Sequence, residues 1–226
     1  LTGEEGEITM GNPDFLYFLY KLGMRMMTLT WNYENSLGFP NVRLDKKTSA
    51  SSDRYCLSQN KGLKEQGIVF LEEMERLGMI IDVSHLSDAG FYDVLEHTTK
   101  PFVASHSNAR SVCPAVRNLT DDMVRRLAER GGITGINFCK EFLGKPDVSQ
   151  NYLDQAVVHM KYLMNLGGED FVALGSDFDG ITRYHDLSDC SVMPKLVHTM
   201  KKAGLTPTQI EKICYKNTLR VYRELL

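Results

Sequence analysis

Apolar residues along the chain recur at two spacings. In "LKEQGIVFLEEMERLG" Ile68, Leu71, Met74 and Leu77 stand three residues apart, with Gly78 as the stop, the period of a helix with one buried face. The residues that follow, "MIIDVSH", carry Ile80, Ile81 and Val83, and a short run of β-branched residues predicts a buried strand. The same change of period repeats along the chain. "DFLYFLYKLG" predicts a helix ending at Gly23, and "RMMTLT" a strand after it. "LSDAGFYDVLEHTT", with Ser87 as its N-cap, leads into "PFVASH". "LTDDMVRRLAERGG", capped by Thr120 and stopped by Gly131-Gly132, leads into "ITGINF". "YLDQAVVHMKYLMNLGG" leads into "FVALGSD", and "TPTQIEKICYKN", with its Thr206-Pro207 start, is among the helices that close the chain.

The expected strands are therefore Arg25–Thr30, Met79–Val83, Phe102–Ser105, Ile133–Phe138 and Phe171–Gly175, with the ragged end of a sixth in "LTGEEGE". Strand and helix alternate, which predicts an α/β fold whose parallel strands are joined by helical crossovers. The polar stretch from Asn41 to Gly62 has no clear period and is expected to be a long surface loop. No internal repeat or linker divides the chain.

Composition narrows the partners. A formal charge of −3 gives no basic surface for nucleic acid, and no apolar run approaches the roughly 20 residues of a membrane span. No leading signal peptide is visible. The five cysteines, Cys56, Cys113, Cys139, Cys190 and Cys214, are scattered and form no C-x-x-C pair. That excludes a disulfide framework or a zinc ribbon and fits reduced thiols in a cytoplasmic protein. "GGITG" and "LGGEDF" lack the spacing of a nucleotide-phosphate loop.

The chemistry-bearing residues gather at strand ends, the functional face of a parallel α/β fold. One strand ends in Ser84-His85, another in Ser105-His106, and the last in Ser176-Asp177. A single polar tip is explained by capping, and a lone histidine there by a satisfied core imidazole. Two histidines and a carboxylate together have the residue types of a Zn²⁺ or similar transition-metal site. Asp179 is expected to cap its loop. Asp82 is open between support of His85 and a plain structural hydrogen bond. His97, at a helix end, and His159 and His198 read as structural or surface residues, while His185 lies in a loop near Asp177 where it could contact substrate.

At these residues the chain resembles the membrane dipeptidase (renal dipeptidase) family of zinc peptidases, and its bacterial branch most. The resemblance runs through "LGMRMMTLTWNYEN", "EMERLGMIIDVSH", "ASHSNARSVCPAVRNLTDD", "GGITGINF" and "GSDFDG", in the family's order. It implies a (β/α)8 TIM-type barrel of the metal-dependent hydrolase kind, holding two zinc ions bridged by a carboxylate and a hydroxide. It makes His85 and His106 metal ligands. The bridging glutamate falls on Glu4 by ungapped spacing, with Glu5 its rival one register away. Asp177 becomes the catalytic carboxylate that takes a proton from the hydroxide and passes it to the leaving amine. Arg117 is implied to anchor the substrate's free carboxylate, and Trp31 to contact substrate.

The chain also departs from the family. No histidine has an aspartate two positions later, so the family's first-strand His-x-Asp ligands are missing. The expectation is one barrel domain over residues 1–226 that lacks its N-terminal strands. Trp31 stands where animal relatives carry a histidine, and "NFCKEFLG" lacks a tyrosine that helps hold the substrate carboxylate. The expected function is a zinc-dependent dipeptidase acting on small dipeptides, and possible homodimers are implied. The alternatives are another metal-dependent amidohydrolase, or a catalytically inactive remnant without the His-x-Asp ligands. The C-terminal "NTLRVYRELL" does not have the hydrophobic tail of a lipid-anchored relative.

Overall fold

Residues 1–43, 55–56, 61–148, 150–182 and 186–226 are described in a computed structural model. They fall into two units, the first formed by Leu1–Ala104 with Tyr222–Leu226 and the second by Ser105–Val221.

The first unit runs β1 (Thr2–Gly3), α1 (Pro13–Lys21), β2 (Met26–Thr28), β3 (Val42–Arg43), β4 (Tyr55–Cys56), α2 (Glu65–Leu77), β5 (Ile80–Asp82), α3 (Asp88–His97) and β6 (Val103–Ala104). β1, β2, β5 and β6 pair in that order and all in parallel, with Thr2 opposite Met26, Met27 opposite Ile81 and Asp82 opposite Val103. Helical crossovers impose this arrangement, because parallel strands cannot be joined by a tight hairpin. Asn12 caps α1 by accepting from Asp14 N at 2.9 Å, with Pro13 in the first turn. α2 ends where Gly78 takes a left-handed φ of 73°, and Met79 enters β5 at once. Leu16, Met27, Phe70, Leu71, Met74, Ile80 and Ile81 form the buried core. Within the expected loop of Asn41–Gly62, β3 and β4 pair antiparallel over two residues each.

The second unit holds α4 (Asp121–Glu129), β7 (Ile133–Ile136), α5 (Lys140–Leu143), α6 (Tyr152–Gly167), β8 (Val172–Leu174), α7 (Met193–Lys202), α8 (Pro207–Glu211) and α9 (Asn217–Leu225), whose last turn belongs to the first unit. β7 and β8 are parallel, with Thr134 opposite Val172 and Ile136 opposite Leu174. The predicted caps hold: Thr120 accepts from Met123 N at 3.2 Å, and Ser87, in the first unit, accepts from Gly90 N at 3.0 Å. The closing helix differs from its simple pattern, since Lys212–Lys216 forms a π turn between α8 and α9. Asn217, just after it, donates to Glu169 O at 2.9 Å and Val172 O at 2.8 Å. That buried amide ties the helix to the start of β8.

The strands are shorter than the apolar runs that predict them. β5 stops at Asp82 because its side chain takes over: Oδ2 accepts from Thr28 Oγ1 at 2.6 Å and Oδ1 from Ser84 N at 3.0 Å. Such a bond from a side chain to the amide two residues on turns the backbone out of the ladder. At the tips of β7 and β8 close approach rules out side chains. A Cβ on Gly135 would lie 2.0 Å from Ser105 O, and one on Gly175 would lie 1.9 Å from the same oxygen. No described helix is long and apolar enough to cross a membrane.

Candidate metal centre and active site

The turn set by Asp82 delivers His85 into an unusual conformation. Its φ is 69°, and among the described residues only Met10, His85 and Asp177 share positive φ without being glycine. Left-handed backbone costs about 1–2 kcal/mol for an L-residue, though His and Asp are among the types that tolerate it. Two of the three residues that carry this cost are strand-tip groups singled out by their chemistry. Strain that persists in this way is held by its surroundings and clusters at functional sites.

His85 is buried, and its Nδ1 lies 3.1 Å from Asn32 Oδ1. An amide oxygen accepts only, so Nδ1 donates to Asn32. Nε2 lies 3.3 Å from Glu4 Oε1. An imidazole nitrogen and a carboxylate oxygen therefore face each other, an arrangement satisfied by a proton on Nε2 or by a cation between the two groups. The donor set fits zinc, which takes imidazole nitrogen and carboxylate oxygen, with an outer partner fixing the ring's tautomer.

The structure separates Glu4 from its rival. Glu5 accepts from Trp31 N at 3.1 Å, from Asn35 Nδ2 at 2.5 Å and from Glu7 N at 3.3 Å. Its carboxylate is committed to building the loop, and Glu4 is the one that meets His85. The same bond holds Trp31 in place. Its indole is 40% exposed, with the ring centre 6.4 Å from that of His85 and 5.8 Å from Tyr33 in an edge-to-face contact. Asp82 joins Thr28 and Ser84.

In the second unit His106 is buried, with Nδ1 2.7 Å from Ser105 Oγ. Asp177 follows β8 with a φ of 61°, and its Oδ2 accepts from Asn137 Nδ2 at 3.1 Å. Asn137 also donates to His106 O at 3.4 Å, so one buried amide touches both tips. Arg117 is 4% exposed, with its guanidinium carbon 5.5 Å from the centre of the Phe142 ring. Arg110 braces that loop on both sides, donating to Val116 O and Asn118 O at 2.8 Å each. An ordinary helix-flanking surface ion pair does not bury its arginine in this way.

The remaining candidates part company. His159 is fully buried, accepting from Ala109 N at 3.2 Å and donating to Leu143 O at 2.9 Å. Burial pushes its pKa down to about 4, against a smaller opposing effect of the Leu143 bond, so it is a neutral structural imidazole. His97 and His198 are exposed. Asp179 is exposed too, without the capping bond expected of it among the described residues. The chain turns at Gly180 through its backbone bond to Asp177 O instead. His185 lies outside the described residues. Cys139, near the missing tyrosine's place, donates to Glu141 Oε2 at 3.1 Å, and burial pushes its thiol up to about 12. It is no nucleophile near neutral pH. Sequence reasoning missed Asn32, Asn108, Asn137 and Arg110. The available signal was positional: Asn137 follows the apolar run of β7 as His85 follows that of β5.

Parallel strands ending in strained polar residues, with a carboxylate facing an imidazole, are the layout of a metal-dependent hydrolase. The chain belongs to the membrane dipeptidase family, peptidase family M19, whose model matches residues 1–225. It is 38% identical over 213 residues to an uncharacterized protein in the pqqA 5′ region of Klebsiella pneumoniae, covering 93% of this chain and 75% of that one. It is 34% identical over 227 residues to dipeptidase tcpJ of Claviceps purpurea, covering 100% of this chain and 50% of that protein. Among solved structures it is similar to a metallo peptidase from Rhodobacter sphaeroides bound to a phosphinate mimic of the dipeptide L-Ala-D-Ala. That match has a TM-score of 0.81 and 30% identity over 94% of this chain and 59% of the other. The expected fold class, α/β with parallel strands of the TIM-type hydrolase kind, is that of these metallo-dipeptidases. The chain spans three quarters of the length of the first relative and half of the second.

Proposed function

We propose that the protein is a zinc-dependent dipeptidase in which Glu4, His85 and His106 hold metal, Asp177 moves the proton, and Arg117 and Trp31 bind substrate. The observation that carries the reading is the Glu4 carboxylate facing His85 Nε2 at 3.3 Å, with Nδ1 of that ring 3.1 Å from Asn32 Oδ1. Zinc bound there supplies Lewis acidity and a water acidic enough to ionise near neutral pH. His106, with Nδ1 engaged by Ser105 Oγ, offers Nε2 as a further ligand. Asp177 accepts the proton of the attacking water and returns it to the leaving amine. Its tie to Asn137 through Oδ2 leaves Oδ1 to do so.

Arg117 pairs with the dipeptide's terminal carboxylate, for which a planar guanidinium is suited. Trp31 forms an apolar wall beside His85, and its indole N–H can donate where animal relatives use an imidazole. A dipeptide with a D-residue on its C-terminal side is the favoured substrate, in keeping with the ligand of the Rhodobacter sphaeroides relative. The free thiols of Cys113, Cys139, Cys190 and Cys214 fit a reducing compartment such as the cytoplasm.

The test uses the full-length protein loaded with zinc and a panel of L-L and L-D dipeptides beside non-peptide amides and lactones. The expected result is turnover confined to dipeptides, with Arg117→Lys raising KM about tenfold or more through loss of the bidentate pair. Preferential turnover of lactones, or an unchanged KM in that variant, contradicts the proposal.

A further inference from the structure

We infer that Asn137 is a positioning residue that acts through its side-chain N–H on Asp177; the inference rests on the proposed role of Asp177 as proton carrier. Asn137 is fully buried, and three sets of bonds determine what its amide does. Its Oδ1 accepts from Cys139 N at 2.7 Å. That contact fixes which way round the amide sits, because a backbone N–H can only donate. The NH2 group is therefore the end presented to Asp177 Oδ2 at 3.1 Å, with His106 O as a second and longer acceptor at 3.4 Å.

The amide is itself held from behind. Asn108, also fully buried, accepts from Asn137 N and donates to Asn137 O, both at 2.9 Å. Two asparagines in series thus connect the loop after β6 to the tip of β7 and then to the tip of β8. Beside them the Phe138 and Phe178 rings meet edge to face at 5.5 Å. Asp177 needs this support because its left-handed backbone, with φ at 61°, sets an uncommon direction for its side chain.

The arrangement treats the two oxygens of Asp177 differently. Oδ2 is tied to the amide. Oδ1 lies against Gly180, where a Cβ would come within 2.2 Å of it, so any side chain at that position would displace this oxygen. An uncharged amide orients the carboxylate without neutralising it as an ammonium would. A group that must accept and return a proton in one geometry benefits from such preorganisation.

The test is a double-mutant cycle in the zinc-loaded full-length protein, with Asn137→Ala and Asp177→Asn separately and together. Asn137→Ala is expected to lower kcat about 10–100-fold, with KM within about twofold and zinc content unchanged. In the Asp177→Asn background the same change is expected to alter kcat by less than about twofold. Asn137→Asp supplies the second variant, since it keeps an acceptor for Cys139 N and removes the donor. It is expected to fold, to lose activity at least as far, and to show Asp177 turned away in a crystal structure. Equal losses in both backgrounds, or wild-type kcat in Asn137→Asp, would overturn the inference alone. Full turnover in Asp177→Asn by itself would overturn the role of Asp177, and this inference with it.

Discussion

The tips of β5 and β8 solve one backbone problem with different supports. Both put a polar residue into left-handed conformation, His85 at 69° and Asp177 at 61°. At β5 the described contacts of His85 are with Asn32 on a loop and with a Glu4 side chain that is 53% exposed. At β8 the orienting group is Asn137, fully buried and braced by Asn108. A metal ligand can afford the looser support, since a cation draws its donors into place as it binds. A proton carrier has no such organiser and must be set in advance by packing and hydrogen bonds. On the proposed roles, the difference separates atoms fixed by the fold from atoms completed by what binds.

Three measurements would break or sharpen this contrast. The largest effect is expected at β8, where Asp177→Asn removes the proposed proton acceptor and should lower kcat by about 10²–10⁴-fold, the usual span of general acid–base catalysis. KM should change little, and steady-state kinetics on a dipeptide will show whether the loss falls on kcat. At β5 the corresponding change is one shell out. Asn32→Ala removes the acceptor that fixes the His85 tautomer and should weaken zinc binding about 10–100-fold, read by competition with a chelator. An unchanged zinc affinity would mean that the ring is held by other contacts.

The third measurement uses His159, a buried histidine bonded to Ala109 N and Leu143 O. Burial lowers its pKa from 6.5 to about 4, so the folded state holds it neutral while the unfolded chain binds a proton below about 6.5. The unfolded state therefore gains protons first as pH falls, and stability contributed by this site is present above about 6.5 and lost toward 4. Between pH ~7.5 and ~5 the loss should be about 2 kcal/mol, measured by urea unfolding. His159→Gln should flatten that slope and leave zinc affinity unaltered. An equally steep slope in the variant would place the acid sensitivity elsewhere.

How much of this was legible in advance varies with the range of the interaction. The helix caps at Ser87 and Thr120 and the stop at Gly78 were plain in the sequence, because a cap is a contact between residues two to four apart. His85, His106 and Asp177 stood out by position after apolar runs. Strand ends did not, since whether Asp82 turns the chain at Ser84 depends on a side chain also held by Thr28, 54 residues away. Glu4 and Glu5 could not be ranked from spacing, being neighbours with the same chemistry. Only the bonds of Glu5 to Trp31 and Asn35 assign it to the loop. What Asn137 does depends on partners 29 and 40 residues away.

By itself the sequence determined the alternation of strand and helix, the parallel pairing this forces, and the residue types that arrive at strand ends. Those follow from local backbone preference and from the periodic burial of apolar side chains, which a linear pattern records. The tertiary structure decided which carboxylate meets which imidazole, which ring nitrogen of His85 faces Asn32, and which oxygen of Asp177 is tied. Those depend on directed contacts of about 3 Å between distant residues. A hydrogen bond loses its strength within a fraction of that distance, and no one-dimensional pattern fixes position so finely.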